Sequence, residues 1–107
     1  MDKLNRSKLK DAKKLYQSGN YHASHELIQE ILISDPKNYN AIVLDGACCD
    51  RLDMEEVGMD LFHLATQIQP DNSMAWQGLL QLGRKNMDRY YETLVCTCLK
   101  LLHFYSE

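Results

Sequence analysis

The side chains best able to do chemistry in this 107-residue chain are its four cysteines and four histidines, and their spacing limits what that chemistry can be. The cysteines stand as an adjacent pair, Cys48 and Cys49, and as a "CTC" pair, Cys96 and Cys98. Zinc-binding cysteines usually have two or more residues between them so that both thiolates converge on one ion, and neither pair does this within helical sequence. The opening "MDKLNRSKLKD" is charged throughout and has no apolar segment of signal-peptide length, so a reducing compartment and packed, reduced thiols are expected. His22, His25 and Glu26 sit together at the start of a helical pattern. Two histidines three residues apart can begin a metal site, but they need a further ligand that the sequence does not supply, and an exposed helix start is the simpler account. Cys49 with a distant histidine would make a nucleophile pair. It falls at a helix-packing position, however, where a sealed thiol is inert. The run "DRLDMEEVGMD" gathers Asp50, Asp53, Glu55, Glu56 and Asp60 without the loop glycine and ligand alternation of a calcium hand. The five glycines are scattered singly, so there is no phosphate loop. No catalytic residue, metal or cofactor is expected.

The elements that carry these residues follow from composition and periodicity. With 45% hydrophobic and 25% charged residues and only two prolines, the chain has the balance of one ordinary globular domain, residues 1–107. No stretch approaches the roughly 18 apolar residues of a membrane span, and a cytoplasmic or nuclear location is expected. The net charge of -3 is uneven: residues 1–20 carry six Lys/Arg (Lys3, Arg6, Lys8, Lys10, Lys13, Lys14) against Asp2 and Asp11. Such a basic opening helix can touch RNA, but no aromatic residues interleave with its lysines to stack bases, so a solvated face is the plainer account.

Internal repetition is the strongest signal. "DPKNYNAI" at residues 35–42 returns as "QPDNSMAW" at 69–76, placing Pro36 and Pro70 34 residues apart. A period of that size marks stacked copies of one small unit. The copies run over about 5–38, 39–72 and 73–107. Within the first, Gly19 is a natural left-handed stop and Asn20 a natural cap for a second helix with Leu27, Ile28, Ile31 and Leu32 on one face. Within the second, Asp53 and Met54 make the turn between a helix holding Ile42, Gly46 and Cys49 and one holding Leu61, Phe62, Ala65 and Ile68. The third closes its first helix at "GRKNMD" and continues in a last helix from about Asp88 to Tyr105.

A 34-residue helix-turn-helix with Trp76; Gly46 and Ala12; Tyr21; Gly58 and Ser24; Phe62; Ala65; and Pro36 and Pro70 at its fixed places resembles the tetratricopeptide repeat. The resemblance implies an all-α, helical-repeat solenoid of three helix-turn-helix units that binds other proteins and catalyses nothing. Two departures stand out. Asp11 and Asp45 occupy a place usually given to leucine, and Lys8 one usually given to a large apolar residue. An atypical, polar first unit is expected of a terminal cap. Asp45 must face water or be paired, and a lysine of the preceding unit is the expected partner.

Within the repeat family, "PKNYNAIVLDGA", "QPDNSMAWQGL" and "YYETLVCTCLKLLHFY" are similar to the amino-terminal repeats of superkiller-complex tetratricopeptide subunits. That likeness implies a cytoplasmic scaffold for an RNA helicase that feeds messenger RNA to the exosome. A free-standing peptide-binding or co-chaperone module and an RNA-contacting module are the alternatives.

By the family pattern, the first helix of each unit lines a concave groove. Its residues here would be Arg6, Leu9, Lys10, Lys13, Tyr16 and Gln17; Asn40, Val43, Leu44, Ala47, Asp50 and Arg51; and Met74, Gln77, Gly78, Gln81, Arg84 and Lys85. The family's clamp for a chaperone's terminal carboxylates is not reproduced, since Leu9, Leu44, Met74 and Gly78 take four of its places. The last helix has a narrow polar stripe, Thr93, Thr97 and Lys100, amid apolar residues. Leu101, Leu102, Phe104 and Tyr105 are therefore expected to form an interface for a further repeat, a partner or a second copy.

Overall fold

Helix boundaries in this chain are set by its repeated joints. The computed structural model describes residues 3–105, all of whose regular structure is helical. The helices are α1 (Lys3–Gln17), α2 (Tyr21–Ser34), α3 (Tyr39–Arg51), α4 (Glu55–Ile68), α5 (Ser73–Gly83) and α6 (Tyr91–Tyr105), with a 3-10 turn, Arg84–Asn86, before the last.

Both joints use the same kinds of bond. Asp35 N–H donates to Ile31 O at 2.8 Å and Gln69 N–H to Ala65 O at 3.0 Å, closing α2 and α4. Two residues after each proline, an asparagine side chain then caps the next helix. Asn38 accepts from Ala41 N–H at 3.1 Å and Asn72 from Met74 N–H at 3.0 Å. Each asparagine amide also reaches back to the residue before the proline, Asn38 to Asp35 at 3.2 Å and Asn72 to Gln69 at 3.1 Å. Helix starts leave backbone donors unpaired, and a side-chain cap satisfies one of them for about 0.5–2 kcal/mol.

The turns inside the first two units share a left-handed residue one period apart, Gly19 at φ 86 and Asp53 at φ 58. Aspartate is among the few non-glycine residues that tolerate that region. Asn20 departs from expectation. Its side chain makes no capping bond to α2, and only its backbone carbonyl takes part, accepting from Ser24 N–H at 3.1 Å.

Consecutive helices pack together, and the first helices also touch along the stack, α1 with α3 and α3 with α5. One core cluster joins Leu9, Ala12, Ile28, Ile31, Ala41 and Cys48 across α1, α2 and α3. A larger one joins residues of α3, α4 and α5 around Phe62. The Phe62 ring lies between two glycines: a Cβ on Gly46 would sit 2.8 Å from it and one on Gly78 2.4 Å. Only glycine on both flanking helices leaves room for that ring.

The third unit differs. Three residues, Leu52–Met54, connect α3 to α4, whereas residues 84–90 connect α5 to α6, and the last helix begins at Tyr91 rather than near Asp88. Cys48 and Cys49 are buried as expected, but Cys96 and Cys98 are exposed. On a terminal helix covered from one side only, they face away from α5.

Candidate functional site

Polar contacts stand at matching places along the first-helix surface. Tyr16 in the first unit pairs with Arg51 in the second, and Asp50 pairs with Lys85 in an ion pair, each link joining residues 35 apart. The bond to Tyr16 raises the Arg51 guanidinium above its ordinary range. Tyr16 also packs edge-on against Tyr21, with ring centroids 5.2 Å apart. At the far end, the Gln77 amide donates to the Tyr105 hydroxyl at 2.9 Å.

Of the residues expected to line the groove, Arg6, Lys10, Lys13, Gln17, Asn40, Arg51, Met74, Gln77, Gln81, Arg84 and Lys85 are exposed. Tyr16, Leu44, Ala47, Asp50 and Gly78 are half-buried. Leu9 and Val43 correct that expectation: both are buried and belong to the core clusters. They occupy one position 34 residues apart, on helices followed by another first helix that packs beside them. Gln77, one period further on, is exposed and polar. Among the exposed groove residues six are Lys or Arg and none is Asp or Glu, so this face is basic although the chain is net acidic.

The second surface is the outer side of α6. Leu94, Thr97 and Leu101 are buried, with Leu94 seated against Gly83 of α5. The threonine stripe thus turns inward, and Thr97 satisfies its hydroxyl by donating to Thr93 O at 2.7 Å. Leu101, expected at the interface, is core at 7% exposure, whereas Tyr91 (66%), Val95 (42%), Leu99 (62%), Leu102 (63%) and Tyr105 (68%) are bare. Phe104 is half-buried under Lys100, whose ammonium lies 5.5 Å from its ring centre and 6.0 Å from that of Trp76. At helical spacing, 91, 95, 99, 102 and 105 run down adjoining rows of one side.

A third grouping was not assembled from sequence. Asp45, buried at 2%, is paired with His25 of α2 and accepts from the Gln29 amide at 2.8 Å. The expected lysine partner is replaced by a histidine and a glutamine one turn apart. Cys49 Sγ lies on the same side of α3, and the three donor atoms of His25, Asp45 and Cys49 are within 4.8 Å of one another. Burial first, then the charges of Asp45 and Cys48, push the Cys49 thiol up to about 12. His22 and Glu26, grouped with His25 by spacing, are exposed and stand apart from this cluster.

Comparison with known proteins fits this geometry. No family model matches the chain. It is 31% identical over 100 residues to Tetratricopeptide repeat protein 37 of Xenopus laevis, a match covering 92% of this chain and 6% of that protein. The chain resembles tetratricopeptide-repeat proteins. It is also 29% identical over 77 residues to Superkiller complex protein 3 of Homo sapiens, covering 72% of this chain and 5% of that protein. The chain therefore spans only about a twentieth of the length of these relatives. Among solved structures, the Yersinia enterocolitica type III secretion translocator chaperone SycD superposes with a TM-score of 0.65 at 14% identity, over 97% of this chain and 93% of that one. That likeness is one of tetratricopeptide-like fold.

Proposed function

We propose that this chain is a protein-interaction scaffold built from three tetratricopeptide-like units, and that it is a part or relative of superkiller-complex tetratricopeptide subunits. The observation that carries the scaffold reading is the bare apolar side of α6. Each large apolar side chain left uncovered forgoes roughly 1.5–3 kcal/mol of burial, so five of them on one helix favour association. The occupant proposed for this side is a helix of a further repeat unit, because α2 and α4 are each covered by the first helix of the unit that follows and α6 is not.

The second contact surface is the basic first-helix groove, where Arg6, Lys10, Lys13, Arg51 and Arg84 favour an acidic partner segment, Lys85 being paired with Asp50. Similarity to Superkiller complex protein 3 supports an RNA helicase or exosome-associated assembly as the larger setting, in the cytoplasm. No helix of the described residues is long and apolar enough to cross a membrane. No catalytic step is part of the proposal.

Affinity recovery from cell extract followed by mass spectrometry tests the setting. Recovery of helicase or exosome components, reduced by Leu99→Lys, is the expected result. Recovery of heat-shock proteins instead, in a form competed by acidic carboxy-terminal peptides, would transfer the chain to the co-chaperone class. Salt-sensitive recovery of RNA without those proteins would favour a nucleic-acid role.

A further inference from the structure

We infer that His25, Asp45 and Cys49 form a zinc-type metal site that staples α2 to α3. Asp45 and Cys49 are four residues apart on α3, so both point to the same side, and His25 meets them from α2. The donors are one imidazole nitrogen, one carboxylate oxygen and one sulfur. That set suits zinc and its borderline-soft neighbours and not calcium or magnesium, which take oxygen alone.

The geometry is close to what such an ion needs. Zinc bonds of about 2.0–2.3 Å place neighbouring donors of a tetrahedron roughly 3.3–3.8 Å apart. The three atoms here lie within 4.8 Å, so Cys49 moves in slightly while the direct His25–Asp45 contact opens. Gln29, donating to the other Asp45 oxygen at 2.8 Å, already holds the carboxylate in the manner of the outer supports that orient metal ligands. The His25 side chain is 22% accessible, which gives an ion a way in and leaves a fourth position for water.

The site also accounts for an aspartate in a layer where the repeat pattern has leucine. A carboxylate sealed in an apolar interior is costly unless paired, and a divalent cation is a stronger partner than imidazole alone. On binding, a sulfur–metal bond forms at Cys49 and the thiol proton leaves to solvent. The cation balances both the thiolate and Asp45, and affinity falls as pH falls. Cys48 takes no part, since its thiol faces the Ser24 hydroxyl at 3.4 Å.

The test uses the full chain carrying Cys96→Ser and Cys98→Ser, which removes the exposed thiols. Cobalt(II) titration should give one ion per chain with a thiolate-to-cobalt charge-transfer band in the near ultraviolet, displaced by zinc. His25→Gln, Asp45→Asn and Cys49→Ser should each lose the band, Cys48→Ser should keep it, and zinc should raise the melting temperature of the parent but not of His25→Gln. No band in the parent, or a band that survives His25→Gln or Asp45→Asn, overturns the site. Because His25 is partly exposed, its variant is expected to fold and decides the matter even if Cys49→Ser does not.

Discussion

Helices α4 and α6 are the second helices of consecutive units, yet α6 leaves more apolar surface to water. On α4 the buried residues are Gly58, Met59, Phe62, Ala65 and Thr66, while its exposed side is mostly polar, with Glu56, Asp60, His63 and Gln67 beside the partly bare Val57 and Leu64. On α6 only Leu94, Thr97 and Leu101 are buried, and the exposed side carries Tyr91, Val95, Leu99, Leu102 and Tyr105. The difference follows from neighbours. α4 packs against α3 on one flank and α5 on the other, whereas α6 packs against α5. A helix covered on one flank leaves an apolar side bare, and that side is the interaction surface proposed above.

The largest effect expected from this comparison lies in α4. Phe62→Ala empties the space between Gly46 and Gly78 and should cost about 3–5 kcal/mol in chemical denaturation. A loss under about 1 kcal/mol would mean that α4 is not sandwiched as described.

Adjacent leucines of α6 sharpen the contrast. Leu101→Ala should cost about 2–5 kcal/mol, because its side chain is in the core. Leu102→Ala should change stability by less than about 0.5 kcal/mol, because its side chain is bare. Equal costs for the two would show that α6 is turned differently.

A covered joint should also show itself in alkaline solution. Tyr39 is buried, and its hydroxyl accepts from Ala75 N–H at 3.1 Å, bridging α3 to α5. Burial raises its pKa above the ordinary 10.0, with the Ala75 bond working the other way. The unfolded chain therefore releases this proton first as pH passes 10.0, so the folded state binds more protons and stability falls with rising pH. Tyr39→Phe should flatten that part of the stability curve, and an unchanged slope would show that the hydroxyl is not sealed at the joint. A small, salt-dependent effect is expected of Lys85→Ala, which removes the pair between exposed Lys85 and half-buried Asp50 and should cost no more than about 1 kcal/mol at low salt, shrinking as salt rises.

What could be read from sequence divides along the same line. The joints were legible because their physics is local: proline, asparagine cap and helix stop lie within a few residues of one another, and Gly19 and Asp53 repeat the turn. The orientation of α6 was less so. Residues 84–90 break the spacing that the shorter Leu52–Met54 turn keeps, and contact with α5 decides that Thr97 and Leu101 face inward while Leu99 and Leu102 face out. The partner of Asp45 was hidden for a similar reason. Charge alone suggests a lysine, but the side chains that α2 brings to Asp45 are His25 and Gln29, and that is settled by packing. Leu9 and Val43 read as groove residues in a single unit and become core once a following helix lies beside them.

The central claim, that the bare side of α6 is an interaction surface, is tested most directly by the mass of the isolated chain in solution as a function of concentration, with hydrophobic-dye binding recorded on the same samples. With no further unit present, a second copy is the available cover. The account predicts that the parent binds dye and associates, and that Leu99→Lys and Leu102→Lys abolish both while leaving the melting temperature within a few degrees of the parent's. A parent that is monomeric and dye-silent, or lysine variants that unfold, would contradict it, for the outer side of α6 would then be ordinary surface or part of the core.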